Sequence, residues 1–216
     1  MEIFLRRIVF CFILFFLFFL SFSCSKAVPT DYDSSEIDPS EEPLQENVDN
    51  EPAITFEKKG WTFTITPRAK YRISGKVLSV KSYHYGLNAL ISPVDIALTF
   101  GELYKSGLYE KIEWSQSQRW YWWKYGSSFP KKDDNFIARW SSNNHIIPAT
   151  DNVKKAVKSI SGGDLVTLEG YLIYIDGKKE DQSFWWHSSL SRSDRGDGSC
   201  EVIYLKRIKI GENIYE

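Results

Sequence analysis

Cys200 is the residue whose chemistry most needs an account in this chain of 216 amino acids. Of the three cysteines, Cys11 and Cys24 lie in or next to an N-terminal apolar stretch, which leaves the remainder with a single thiol. In an oxidising compartment, an unpaired Cys is a reactive thiol, an intermolecular bridge or a packed side chain. His84, His145 and His187 can each supply an imidazole, and Asp194, Asp197 or Glu201 can orient one. Cys200 with His145 and Asp194 would make a thiol–imidazole–carboxylate set for acyl transfer. Free Cys is also among the most buried residue types, and Cys200 opens an apolar run, so inert packing is the first expectation for it. No His-x-His or Cys-x-x-Cys occurs, so the three His and Cys200 lack metal-ligand spacing; neither metal nor cofactor is expected. The polar stretch 192–198 fails the calcium-loop pattern, because Arg195 stands where an oxygen ligand is needed. Arg195-Gly196-Asp197 matches a short adhesive tripeptide, and a Gly-rich turn explains it equally well.

The aromatic load is the second chemical feature. Eight Trp occur, five of them in Trp120-Tyr121-Trp122-Trp123 and the pair Trp185-Trp186, with Arg119 and Lys124 beside the first group. On a strand, Trp120 and Trp122 face one way while Tyr121, Trp123 and Tyr125 face the other. One face can serve a core and the other can present a flat surface that stacks on sugar rings. The leading expectation is therefore a non-catalytic binding module for envelope glycan or another envelope protein, through Arg119, Trp120–Trp123, Trp185 and Trp186. The alternative is an envelope hydrolase or transferase using Cys200 with His145. No phosphate-cradling Gly loop is present, and no nucleic-acid partner is expected.

These groups must be positioned mostly by strands. Alternating patterns mark Tyr71–Val80, Ile112–Tyr125 as one long strand or a hairpin arm, and Cys200–Ile210. Asp164–Ile175 and Ser183–Ser189 flank Asp176-Gly177, a pair suited to a two-residue hairpin. Two short helices are expected. Ser92-Pro93-Val94-Asp95 offers a cap, a first-turn Pro and an acid. The other starts at Thr150 or Asp151, spaces Val153, Ala156, Val157 and Ile160 on one face, and stops at Gly162-Gly163. The class is mainly β with two short helices (α+β). Strand, short helix and then Gly163-to-Gly170 entering a strand resemble a small Greek-key barrel of OB type, which implies no particular function.

The N-terminus reads as an address. Arg6 and Arg7 precede thirteen consecutive apolar residues, Ile8–Leu20, a length that fits a secretory signal better than a spanning helix. Leu20-Ser21-Phe22-Ser23-Cys24-Ser25 then resembles the lipobox of bacterial lipoproteins, with Leu one position further from the Cys than usual. The resemblance implies a signal peptide at 1–23, acylation of Cys24, a membrane partner through that lipid, and export to the cell membrane or outer membrane. Segments around Ser92–Leu98, Arg119–Tyr121, Asn144–Ala149 and Ser188–Glu201 resemble the landmarks of an uncharacterised bacterial family, which brings no activity with it. Ser25–Ala53 holds nine acids, one base and four prolines, so residues 24–53 are expected to be a lipidated, disordered acidic tether. Ile54–Glu216, a single β-rich domain, carries 24 bases and 18 acids, so tether (−8) and domain (+6) oppose each other in sign. The whole chain, at −1, argues against a dedicated nucleic-acid binder, while the basic domain either sits against anionic lipid, glycan or polymer or is simply neutralised by the tether.

Overall fold

Period-two alternation sets the architecture. The computed structural model describes residues 25–127, 129–130, 133–191, 194, 196 and 198–216. Two short strands, β1 (Asp31–Tyr32) and β2 (Leu44–Asn47), precede a hairpin of β3 (Ile54–Lys58) and β4 (Trp61–Ser82). Helix α1 (Leu87–Ile91), strand β5 (Val94–Thr99) and helix α2 (Gly101–Lys105) follow, then the hairpin β6 (Ile112–Ser117) and β7 (Trp120–Tyr125). After α3 (Asp134–Arg139) come β8 (Ser141–Pro148), α4 (Asp151–Ser159), β9 (Leu165–Lys179), β10 (Gln182–His187), β11 (Glu201–Ile210) and β12 (Asn213–Tyr215).

The protein is mainly β, of the α+β class, as its alternation implies. Strands β4, β5, β8, β11 and β9 pair in that order, and β9 returns to β4, closing a ring. Only β8 and β11 run parallel within it. This Greek-key order, with α4 between β8 and β9, fits the OB-type expectation, although the ring is built of unequal strands and is not a regular barrel. β4 can reach both neighbours because it is 22 residues long and its register shifts at Pro67/Ala69 and at Val77/Ser79; such bulges bend a strand. Inside the ring, Ile73, Val77, Ile96, Leu98, Ile146, Leu168, Ile203 and Leu205 pack with Val153, Ala156 and Val157 of α4. The start of α4 is capped by Thr150, whose Oγ1 accepts from the N–H of Val153 at 3.1 Å. A second cluster outside the ring packs Phe63, Ile65, Ile147, Ile173 and Val202 under Phe184 and Trp186 of β10.

Three sequence expectations need correction. Val94–Thr99 is a strand, not a helix starting at Ser92: every residue is buried, which an amphipathic helix would not give, and both edges are paired. Four helices are described in place of two. Asp176-Gly177 is not the hairpin turn. β9 runs past it to Lys179 and pairs Lys179 with Gln182, so the turn is Glu180-Asp181. Gly177 is small for another reason, since a Cβ there would meet the Phe63 ring at 2.9 Å.

Residues 25–53 are not a free tether but a strap laid along the ring. β1 pairs with β12 and β2 with β4, and Ile37 is buried. Charge explains the docking: Lys209, almost wholly buried, gives its ammonium to Asp33 Oδ2 at 2.9 Å, the Ser35 carbonyl at 2.7 Å and Ser35 Oγ at 2.9 Å. Glu42 reaches Arg139 at 3.0 Å. Hydrogen bonds from Ser35 and Lys209 hold the Asp33 carboxyl well below the usual carboxylate range. Lys209→Ala is expected to free the strap, raising cleavage by a Glu-specific protease after Glu36, Glu41 and Glu42 severalfold at unchanged far-UV circular dichroism. Equal cleavage in both proteins would show that the ammonium does not hold it.

Candidate functional site

Three adjacent ring strands carry polar residues onto the outer face. Register pairs Asp95 of β5 with His145 of β8, and His145 with Val202 of β11. Paired positions share a face and every second residue returns to it, so Asp95, His145 and Cys200, two residues before Val202, converge. The Asp95 and His145 side chains are 1% and 4% exposed. His145 Nδ1 lies 3.0 Å from Asp95 Oδ1, although off the line of a well-formed hydrogen bond. The Cys200 side chain is within hydrogen-bonding reach of the same imidazole. With Nδ1 turned to the carboxylate, Nε2 is the nitrogen left for sulfur. Burial alone would lower the His145 pKa, but hydrogen bonds and charge from Asp95 and Cys200 outweigh it and push the imidazole up to about 9.

Arg119 completes the charge balance. It sits in the β6–β7 turn, where Gln118 and Arg119 both adopt positive φ (50° and 72°). Nη1 reaches Asp95 Oδ1 at 2.6 Å and Nη2 the Ser92 carbonyl at 2.9 Å. The guanidinium lies 3.8 Å from the Tyr83 ring centroid and 5.4 Å from that of Trp186. One carboxylate thus faces two cations, and the surplus positive charge lies beside the thiol. Asn143 approaches from another side: its Nδ2 is 3.8 Å from Cys200 Sγ and donates to the Arg119 carbonyl at 2.9 Å. Gln116 Nε2 donates to Asn143 Oδ1 at 2.7 Å, and Ser79 Oγ to Gln116 Oε1 at 2.6 Å, so the amide is fixed.

Two cavities meet at the sulfur. One, of about 270 Å³, is walled by Trp120, Trp122, Trp123, Ala138 and Asn143 and reaches Cys200. The other, of about 160 Å³, is bounded by Asn88, Arg119, His145, Trp186 and His187, with Cys200 and Trp120 common to both. Cys200 is half-buried at this junction, not packed in a core. The expectation of a fully buried Cys200 is corrected, because the residue precedes β11 and its neighbours Asn143 and His145 are polar. A larger groove of about 860 Å³ under the strap contains neither thiol nor imidazole, and its charges pair among themselves, Arg72 with Glu169 at 3.0 Å and Lys70 with Glu46 at 4.0 Å.

The structure redistributes the other candidates. Asp95, not Asp194, orients His145; Asp194 accepts from Ser189 Oγ at 2.6 Å in the loop before β11. Glu201 pairs in register with Asn144, and Asp197 and Arg195 lie outside the described residues, as does Cys24. His84 is exposed and lines a separate cavity. His187 stacks on Tyr174 with ring centroids 4.1 Å apart. The aromatic faces divide as the alternation implies. Tyr121 and Trp123 join Trp114 over Ile112, Phe129 and Ile137, while Trp120 stacks on Trp122, which is 54% exposed. Trp186 turns inward, its ring 4.6 Å from that of His145, and Trp185 outward. Among the described residues, no group of three His, Cys, Asp or Glu side chains could hold a metal ion.

No protein-family model, curated protein or solved structure matches the chain. Its site therefore has to be read from its own geometry. The folded His145 pKa, about 9, stands above the ordinary 6.5. A raised pKa adds stability that is complete below the unfolded value and disappears as pH climbs through the folded one. Unfolding free energy is thus expected to fall by something on the order of 3 kcal/mol between pH 6.5 and 9. His145→Gln should remove that slope in urea titrations; an equal fall in the variant would assign it to other groups.

Proposed function

We propose that the protein is a lipid-anchored envelope hydrolase or acyltransferase that attacks a carbonyl through Cys200. The observation that carries this reading is the convergence of Asp95 on β5, His145 on β8 and Cys200 just before β11, with Cys200 at the junction of two cavities and His145 lining one of them. Thiols act as nucleophiles in electropositive, partly exposed surroundings. The reacting pair is a Cys200 thiolate beside a protonated His145 imidazole, whose pKa is raised to about 9. Sulfur attacks the acyl carbon, His145 donates its proton to the departing alcohol, thiol or amine, and a thioester remains on Cys200. The imidazole, now neutral, takes a proton from water or an acceptor hydroxyl, which attacks the thioester and releases the sulfur. Asp95 holds the ring in one tautomer throughout. Asn143 steadies the charged sulfur.

The aromatic cavity suits an apolar or ring-bearing acyl group, with the departing group on the Arg119 and His187 side. The stacked Trp120–Trp122 pair, the basis for a pure binding module, here forms the wall of the cavity that reaches the nucleophile, so we assign it to substrate. Arg6-Arg7, the apolar run and Cys24 support export and anchoring.

With aryl esters and acyl thioesters as probes, an acyl adduct is expected on Cys200 by mass spectrometry. Cys200→Ser should lose the adduct, and Asp95→Asn should slow turnover by about 10²–10⁴. Because the imidazolium supplies the proton, kcat/KM should decline above about pH 9. No adduct, with turnover unchanged in Cys200→Ser, would overturn the assignment. Trp122→Ala should raise KM for aryl esters roughly severalfold at nearly constant kcat; an unaltered KM would return the platform to some other ligand.

A further inference from the structure

The most strongly charged surface that the thiol site leaves unused lies around α4. Lys154, Lys155 and Lys158 occupy the helix face away from Val153, Ala156 and Val157, and the β3–β4 turn brings Lys58 and Lys59 beside them. Lys58, Lys154 and Lys158 line one cavity of about 530 Å³. Burial and the like charges of Lys154 and Lys59 hold the Lys58 ammonium below its ordinary value, with Asp151 the acid that opposes them. Among the described residues none of these five lysines forms a salt bridge, whereas Lys209 and Lys70 do. An uncompensated cluster of this kind repels itself until an external anion covers it.

The start of the strap says which anion. Val28 is held by Asn152 of α4, its N–H donating to Oδ1 at 2.9 Å and its carbonyl accepting from Nδ2 at 2.8 Å. Ala27 packs against the ring core. Ser25, where the described strap begins, is three residues from the docked Val28, a reach of at most about 11 Å. Lys154, Lys155 and Lys158 follow Asn152 within two turns of α4, so the lysine cluster and the strap's entry share one helix.

We infer that the α4 lysine face docks on an anionic lipid bilayer, an inference that rests on the anchoring of Cys24 proposed above. Juxtamembrane lysines are drawn to anionic headgroups, and the attraction fades within a Debye length. Three of the strap's nine acids, Asp33, Glu42 and Glu46, are already engaged with Lys209, Arg139 and Lys70, and none of the nine forms a salt bridge with the five lysines among the described residues.

The protein, purified from membranes as the cell processes it, is reconstituted into neutral phosphatidylcholine vesicles or into vesicles with about 30% phosphatidylglycerol. Lysines are then acetylated under limiting reagent and followed by mass spectrometry. Labelling of Lys58, Lys154, Lys155 and Lys158 is expected to slow about threefold or more on the anionic vesicles, and to recover at about 1 M salt. Exposed Lys105 and Lys111 serve as the internal reference. Equal rates on both vesicles would overturn the docking. The triple change Lys154→Glu, Lys155→Glu and Lys158→Glu should abolish protection of Lys58; persistence of that protection would also overturn it. Flotation with neutral vesicles at high salt reads the lipid anchor separately, so loss of the anchor and loss of docking give different patterns.

Discussion

A carboxylate 1% exposed to solvent has to be neutralised by the protein itself, and Asp95 is in that position. Arg119 and His145 both approach its Oδ1, from the β6–β7 turn and from β8. Removing one partner from such a buried cluster typically costs about 3–5 kcal/mol, because the charge left behind is uncompensated. Segments around residues 95, 119 and 145 are thereby tied together across more than the backbone ladder provides. The same constraint places the His145 imidazole, whose Nδ1 lies 3.0 Å from Asp95 Oδ1.

The site violates several local rules at once. Gln118 and Arg119 take left-handed backbone conformations that cost non-Gly residues about 1–3 kcal/mol each and persist only where surroundings over-determine them. Arg119 is over-determined: its backbone N–H donates to Tyr83 Oη at 3.0 Å while its guanidinium is held by Asp95 and Ser92. Asp95 Oδ2 and Ser92 Oγ are buried without hydrogen-bond partners. The other non-Gly residues described with positive φ, Lys59 and Glu180, lie in plain hairpin turns, and Thr150 caps α4 as its type predicts. Concentrated inconsistency of this kind is the usual mark of a functional site rather than of a defect.

What the sequence disclosed follows from how local each cause is. α4 was legible because its cap, apolar stripe and Gly stop are all within the helix. The division of Trp120–Tyr125 into two faces was legible because strand alternation needs no partner. Val94–Thr99 was misread because an apolar run buried on both sides has no period, and its capping-box acid turned out to be the buried Asp95. A charged residue inside such a run was the available signal for the third member of the site. Asp194, closer to Cys200 in sequence, was the wrong acid because strand pairing brings residues 95, 145 and 200 together over distances that spacing cannot encode. The strap was misjudged for a related reason. Its composition disfavours self-association but says nothing of a complementary surface supplied by Lys209 and Arg139.

The strap also makes the two ends of the chain depend on each other. Thr30 donates its backbone N–H to Ile214 at 2.8 Å, and Tyr32 reaches Glu212, 180 positions away, at 2.7 Å. Contacts of such long sequence separation form late and slowly. A chain that emerges N-terminus first can pair β2 with β4 early, but β1 and Asp33 have no partner until β11 and β12 appear. Closure of β1 on β12 therefore waits for residues 213–214, which seat Asp31 and Tyr32 at the edge of the sheet.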